Sequence, residues 1–331
     1  MTENLNVVQL AEKLAAAERV LILCHKNPDG DTIGCGSALY HALTALGKTA
    51  AVLCSDTIPA LYSYTKAKLF DGSFEPDTVV AVDIASVQLF GNKPEVLELT
   101  RHVDLCIDHH AGNTGYADYT LLDAGAAAAA ELMTDVIEAL GVQLTPQIAD
   151  CLYTGLSTDT GCFKFPSTTA RTHLVAARLI QAGANVERLN KLLFETKSPQ
   201  RMAAERMALN NLEYHFDGRC ALIYLTRDEI AESGVEPADL EDLTSLPLTI
   251  AGVKVGLTLR QQPGGSCRIS VRTVKGMDAC AIAKRLGGGG HNRAAGCELE
   301  GNLENTKDAI LAEVEAVFAA LDAAAATEEE L

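Results

Sequence analysis

The sequence predicts an α/β fold in two domains, and three observations carry that reading. Short apolar runs at residues 20–24, 79–82 and 103–107 each stop at an acidic or imidazole side chain. Helical periodicity separates such runs in the first half of the chain. Past residue 218 the pattern changes to closely spaced strand-like segments joined by turn residues. Runs this short suit strands buried on both faces, and strand–helix–strand alternation implies a mainly parallel sheet flanked by helices.

Residues 20–24 are too few for a helix and read as a buried strand ending at His25. Pro28 and Gly30 then predict a loop that lifts His25, Asp29 and Asp31 above the strand end. Helical periodicity returns after Gly36, at 37–46, and a strand follows at 50–54. The run at 79–82 ends in Asp83, and the run at 103–107 ends in Asp108-His109-His110. Residues 126–140 and 168–182 read as helices closed by Gly141 and Gly183. Between them a mostly apolar helix at 146–156 leads into Ser157-Thr158-Asp159-Thr160-Gly161.

Residues 186–212 are rich in polar and charged side chains and break at Ser198-Pro199, which predicts a mostly helical connector. Residues 219–225, 251–260 and 266–273 read as strands, with Pro263-Gly264-Gly265 turning the last two into a hairpin. A short helix at 278–286 precedes four glycines. The expected division is a catalytic domain over 1–185, a connector over 186–214, a small α/β domain over 215–322 and an acidic tail over 323–331.

Composition narrows the function. At 331 residues the chain has room for two cores. No apolar stretch approaches the roughly 18 residues of a membrane span, and the first twenty residues are unlike a signal peptide. The ten cysteines form no Cys-x-x-Cys pair, and Cys24, Cys106 and Cys151 sit in apolar segments. Reduced, buried thiols and a cytoplasmic location are expected. A net charge of −17 argues against long duplex nucleic acid, whose phosphates must be neutralised by Lys and Arg. A short nucleotide needs only a few local cations. The sequence does not fix the oligomeric state and is compatible with a homodimer.

The chemistry lies where elements end. Three oxygen or imidazole ligands within seven residues, at His25, Asp29 and Asp31, are costly unless cations neutralise them. In α/β sheets ligands bind at the carboxyl ends of strands, where these residues are placed. Together with Asp83, His109 and Asp159 they are candidate ligands for a pair of divalent cations, the arrangement expected of phosphoester cleavage.

Four motifs in order now resemble the DHH phosphoesterase superfamily: His25-Lys26-Asn27-Pro28-Asp29-Gly30-Asp31, Asp83, Asp108-His109-His110 and Thr158-Asp159-Thr160-Gly161. Ser270-Val271-Arg272 and Gly287-Gly288-Gly289-Gly290-His291-Asn292-Arg293-Ala294-Ala295-Gly296 resemble its DHHA1 companion domain. The resemblance implies that His25, Asp29 and Asp83 hold one divalent ion. Asp31, Asp83, His109 and Asp159 hold a second, with Asp83 bridging. Carboxylate-rich ligation with imidazole suits Mn2+, with Mg2+, Co2+ or Zn2+ as substitutes. Asp108 would orient His109, and His110 would face the scissile phosphate.

Asn27 has two readings of equal weight, contact with substrate or fixing of its loop. Gly288, Gly289, Gly290 and His291 would let the backbone approach a ligand, with Arg272 gripping a phosphate and Arg293 a weaker candidate. The implied activity is hydrolysis of RNA oligomers of two to five nucleotides and of 3′-phosphoadenosine 5′-phosphate. Cyclic di-AMP or linear pApA is the enzymatic alternative. A nucleotide sensor of the same fold is the non-enzymatic one.

Overall fold

The structure, a computed structural model, describes residues 2–235 and 237–329. It divides into two compact units, the first ending at Thr196 and the second opening at Lys197.

In the first unit, β1 (Glu3–Asn4), β2 (Arg19–Cys24), β3 (Thr49–Cys54), β4 (Thr78–Val82), β5 (Leu105–Asp108) and β6 (Tyr119–Leu122) form one sheet. The order is β1-β6-β5-β4-β2-β3 and every pairing is parallel. Its helices are α1 (Val7–Ala16), α2 (Gly30–Ala45), α3 (Pro94–Leu99), α4 (Ala129–Ala139), α5 (Pro146–Asp159), α6 (Ala170–Gln181) and α7 (Val186–Asn190). Strand β2 is apolar on both faces because both faces are covered. Val20, Ile22 and Cys24 join a core with Leu39, Leu43, Met133 and Leu152. Leu21 and Leu23 point the other way, into a core with Ala81, Ile84, Phe90 and Val96.

Helix α2 begins at Gly30, not after Gly36, so the predicted loop is short and Asp31 lies in the helix's first turn. Asp29 is its N-cap, accepting from the backbone N–H groups of Asp31 and Thr32 at 3.0 and 3.2 Å. Two glycines inside α2 are contact points. A Cβ at Gly34 would sit 2.4 Å from the Cys151 carbonyl oxygen, and one at Gly36 would sit 2.7 Å from Cys24 Sγ. Small residues let α2 press against α5 and β2, and this packing outweighs their poor helix propensity. Helix α4 starts at Ala129, later than expected, and α5 continues to Asp159.

The segment expected as a connector is helical in three pieces: α7, a single π turn at Lys191–Glu195, and α8 (Pro199–Asn210) capped by Ser198. Helix α7 falls in the first unit and α8 in the second.

The second unit's sheet comprises β7 (Leu212–His215), β8 (Cys220–Leu225), β9 (Val255–Gln261), β10 (Ser266–Thr273), β11 (Gly289–His291) and β12 (Ala294–Glu300). Its order is β11-β12-β10-β9-β8-β7, antiparallel except for the parallel β8–β9 pair. Helices α9 (Arg227–Ser233), α10 (Ala279–Arg285) and α11 (Leu303–Glu329), with a 3₁₀ segment at Pro237–Thr249, complete it. Alternate residues Leu257, Ile269 and Val271 pack with Ile282, Ile310, Val314 and Phe318. On the opposite face Ile223 and Leu225 pack with Ala204, Met207 and Leu243. In the glycine run, Gly289 and Gly290 belong to the edge strand β11. The expected acidic tail is α11's continuation as far as Glu329; Glu330 and Leu331 lie outside the described residues.

Candidate active site

Strands β2, β4 and β5 are adjacent and parallel, so their carboxyl ends present His25, Asp83 and Asp108-His109-His110 at one edge of the sheet. The start of α2 adds Asp29 and Asp31, and the last residue of α5 adds Asp159. All the metal-ligand candidates of the sequence thus meet at one place.

His25 is oriented by its own loop. Its Nδ1 lies 2.8 Å from the Lys26 carbonyl oxygen, which turns Nε2 toward Asp29 Oδ1 at 3.5 Å and Asp83 Oδ2 at 3.6 Å. Asn27 has φ +51°, a conformation asparagine tolerates, and its N–H donates to Asp56 at 2.9 Å. That gives Asn27 a loop-fixing part.

Asp83 follows β4 with φ +59° and is buried. While Oδ2 faces His25, Oδ1 faces His109 Nε2 at 3.4 Å. The His109 ring is held through Nδ1 by the Ala126 carbonyl at 3.2 Å, and its Nε2 lies 3.2 Å from Asp159 Oδ2 and 4.0 Å from Asp31 Oδ2. Asp31 is fully buried, with its two oxygens accepting from the backbone N–H groups of Ala129 and Ala130 at 2.6 and 3.1 Å. The first turn of α4 thus offsets part of its charge. The alanine run 126–130, which reads as a plain helix former, is therefore part of the site, and no sequence signal marks it.

The electrostatics are those of crowded acids around imidazoles. Burial disfavours the charged form of His25, but the carboxylates of Asp29 and Asp83 outweigh it and hold its pKa up to about 10. His109, likewise opposed by burial, is raised to about 11 by Asp159 and Asp83. Burial, then the charges of Asp83 and Asp159, push Asp31 well above the carboxylate range. Burial raises Asp159 too. Such a cluster lacks enough positive charge of its own.

The residues fit divalent cations. Asp83 Oδ1 and His109 Nε2 are buried and lie 3.4 Å apart, yet neither makes a hydrogen bond, a costly state for buried polar atoms. Ligand atoms of His25, Asp29 and Asp83 lie within 4.8 Å of one another, as do those of Asp31, His109 and Asp159. Asp83 belongs to the first set and points its second oxygen at the other. Oxygen and imidazole donors together suit divalent cations.

Asp108 corrects an expectation. Its carboxylate holds the ring of His110, not that of His109: Oδ1 lies 2.8 Å from His110 Nδ1, and the His109 ring is set by Ala126. Backbone N–H groups of His109 and His110 also donate to Oδ1, and Asn113 Nδ2 donates to Oδ2 at 2.6 Å. Burial opposes ionisation of Asp108, but these donors hold its carboxyl below the usual range. A shared Asp83–His109–His110 set is also within ligand reach. With Nδ1 on Asp108, however, His110 keeps Nε2 for another partner. Asn113 is the residue that sequence reasoning missed. Three residues past His110, it looks like any turn asparagine.

The matches to protein-family models follow these two halves. Residues 19–156 match the DHH family N-terminal domain, and residues 219–320 match the DHHA1 domain. The bifunctional oligoribonuclease and PAP phosphatase NrnA of Thermus thermophilus is 34% identical over 298 residues, 88% of each chain. This chain belongs to the DHH/DHHA1 phosphoesterase family. Another relative of the same name, from Bacillus subtilis, is 24% identical over 93% of this chain and 97% of its own. Among solved structures, an exopolyphosphatase-related protein of Bacteroides fragilis superposes with a TM-score of 0.81 at 24% identity, covering 93% of this chain and 95% of that one. That likeness concerns the fold.

The DHHA1 unit brings the remaining candidates only partly together. Arg272, Gly289, Gly290 and His291 line one cavity of about 560 Å³. Arg293 is exposed and offers its carbonyl to Thr273 at 3.2 Å. Gly288 and Gly290 are explained by strand packing. A Cβ on Gly288 would lie 2.2 Å from the Gly296 carbonyl oxygen, and one on Gly290 would lie 2.5 Å from Ala295 Cα. A Cβ on Gly289 would meet nothing within 4 Å. Among the described residues no helix is long and apolar enough to cross a membrane.

Proposed function

We propose that this phosphoesterase is a manganese-dependent hydrolase of short oligoribonucleotides, two to five nucleotides long, and of 3′-phosphoadenosine 5′-phosphate. The observation that carries this reading is Asp83, whose two oxygens serve two separate ligand sets. His25, Asp29 and Asp83 would hold one cation, and Asp31, Asp83, His109 and Asp159 the other. The names of the relatives supply the substrate class.

When bound, a pair of divalent ions activates water and neutralises charge on the attacked phosphoryl group. The chain's own contribution is positional. Asp83 holds the two ligand sets in register. The α4 N–H groups fix both oxygens of Asp31 while leaving it lone pairs for a cation. Asp108 fixes His110 with Nδ1 as the donor, so that Nε2 is directed to the phosphate or its leaving oxygen. In the DHHA1 unit, Arg272 and the edge strand at Gly289 bind the nucleotide end that does not react.

The test is a product time course with Mn2+ on diribonucleotides, pentaribonucleotides, 3′-phosphoadenosine 5′-phosphate, linear pApA and cyclic di-AMP. Mononucleotides from the oligomers and AMP from the bisphosphate are expected. Turnover of the cyclic dinucleotide alone would overturn the assignment.

A further inference from the structure

Glu131 is a buried acid that the site described above does not use. It stands in the first turn of α4 and is 0% exposed. Its Oε1 accepts from the Thr172 hydroxyl at 2.6 Å and from the Ala127 N–H at 3.4 Å. Its Oε2 is buried, makes no hydrogen bond among the described residues and faces Arg171 Nε at 3.5 Å. A buried carboxylate is strongly destabilising without a compensating charge, and Arg171 supplies it.

Arg171, near the start of α6, does more than compensate. Its three nitrogens face three carboxylates: Nη1 donates to Asp123 at 2.7 Å, Nη2 to Asp135 at 3.1 Å, and Nε points at Glu131. A planar guanidinium holds such a fork in fixed geometry, which an ammonium does not. Asp123 and Glu131 are the two ends of one stretch of chain, 123–131. At its start, Asp123 Oδ1 accepts from the Gly125 N–H at 2.9 Å and the Asp123 carbonyl from the Ala126 N–H at 3.1 Å. Further on, α4 opens at Ala128 with no capping side chain. The stretch is thus tied at both ends to one side chain of α6.

This stretch carries the holders of two ligand candidates. The Ala126 carbonyl sets the His109 ring, and the Ala129 and Ala130 N–H groups hold both oxygens of Asp31. Every one of these contacts is made by backbone, so the placement of the stretch decides where His109 and Asp31 point. Resting on the two-cation reading proposed above, we infer that Arg171 is a positioning residue for the cation of the Asp31–His109–Asp159 set, acting by clamping Asp123 and Glu131. Arg178 provides an internal comparison. It pairs with Asp135 and Glu138, both at 2.7 Å, and with neither Asp123 nor Glu131 among the described residues.

The sign of the effect separates positioning from simple charge. Removing a cation near a metal site tightens metal binding by Coulomb attraction alone, whereas loss of the clamp weakens it. The experiment titrates metal-free wild type, Arg171→Ala, Arg171→Lys and Arg178→Ala with Mn2+ by calorimetry. Arg171→Ala should weaken one of two binding events by about 10-fold or more, the scale of losing a residue that orients a metal ligand from behind, and leave the other event unchanged. Arg171→Lys keeps the charge but not the fork, so it should weaken the same event less; it carries the test if Arg171→Ala does not fold. Arg178→Ala should bind both ions as wild type does. In turnover, the Mn2+ concentration for half activation should rise in the Arg171 variants while KM for diadenylate stays the same. Unchanged or tighter binding in the Arg171 variants, equal weakening of both events, or the same loss in Arg178→Ala would overturn the inference. A wild type that binds fewer than two ions sinks the two-cation reading itself, and this inference with it, before any variant is compared.

Discussion

Asp108 Oδ1 lies 2.8 Å from His110 Nδ1, and that pair, not the neighbouring His109, is the one the acid of the Asp-His-His motif serves. The two adjacent histidines therefore have different holders and different tasks. His109 is set by a backbone carbonyl and turns Nε2 toward Asp83, Asp159 and Asp31. His110 is set by a carboxylate and half exposed.

The two alanine variants should therefore part company. His110→Ala should keep its metal and lose turnover by roughly 100-fold or more, the scale of a positioned acid or donor. His109→Ala should lose metal. Elemental analysis beside kcat decides it; a metal-free His110→Ala with a metal-replete His109→Ala reverses the assignment.

Asn113 supports the same pair from behind, through its 2.6 Å bond to Asp108 Oδ2. Asn113→Ala leaves one oxygen of a buried carboxylate without its donor. A cost of about 1–2 kcal/mol in positioning corresponds to roughly 5- to 30-fold in kcat. KM and metal content should be unchanged. A change in KM alone would mean that Asn113 acts on the substrate-binding surface instead.

Asp83 belongs to the His25–Asp29 set and turns Oδ1, buried without a hydrogen-bond partner, toward His109 of the other set. Asp83→Ala should abolish activity at saturating manganese, and chelation of the wild type should do the same. Residual turnover above about a tenth of wild type is incompatible with a bridging part, since two-metal function supplies far more than that.

Much of this centre is legible in sequence because its ligands sit where elements stop. His25, Asp83 and Asp108 terminate apolar runs whose lengths identify them as buried strands, so their shared edge follows from a parallel sheet. What is not legible comes from tertiary packing. The sequence predicts helix only after Gly36, yet Gly30, Gly34 and Gly36 lie within α2, each where a neighbour leaves no space for a side chain. The clasp of Asp31 by Ala129 and Ala130 uses only backbone N–H groups, and backbone carries no residue signature. Strand β11 was hidden because glycines favour no strand; its pairing with β12 alone makes it one.

The same close packing can be probed at Gly155. A Cβ there would lie 2.4 Å from Asp31 Oδ1 and 3.1 Å from the Ala130 side chain. Gly155→Ala should destabilise the DHH unit by about 1–3 kcal/mol, the usual scale of overpacking. Because the atom struck is a ligand candidate, metal affinity should fall with it. Thermal unfolding with and without Mn2+ reads both, and a variant as stable and metal-avid as wild type would show that Asp31 has room to move.

The glycine strand offers a sharper probe than its composition suggested. Gly290 cannot serve, since φ +145° and the nearby Ala295 Cα make any substitution there a folding defect. Gly289 has open space at its Cβ position and lies in the cavity with Arg272 and His291. Gly289→Val should therefore fold, with a melting temperature near wild type, and place a branched side chain where a nucleotide is expected. Arg272→Ala should remove a charge-assisted phosphate contact worth roughly 1.5–3 kcal/mol, or about 10- to 150-fold in affinity. Both variants should lose dinucleotide binding while keeping their metals. Bis-p-nitrophenyl phosphate makes few contacts beyond the scissile group, so its hydrolysis should be much less affected. Equal loss on nucleotide and small ester would place these residues in support of the catalytic unit and remove them from recognition.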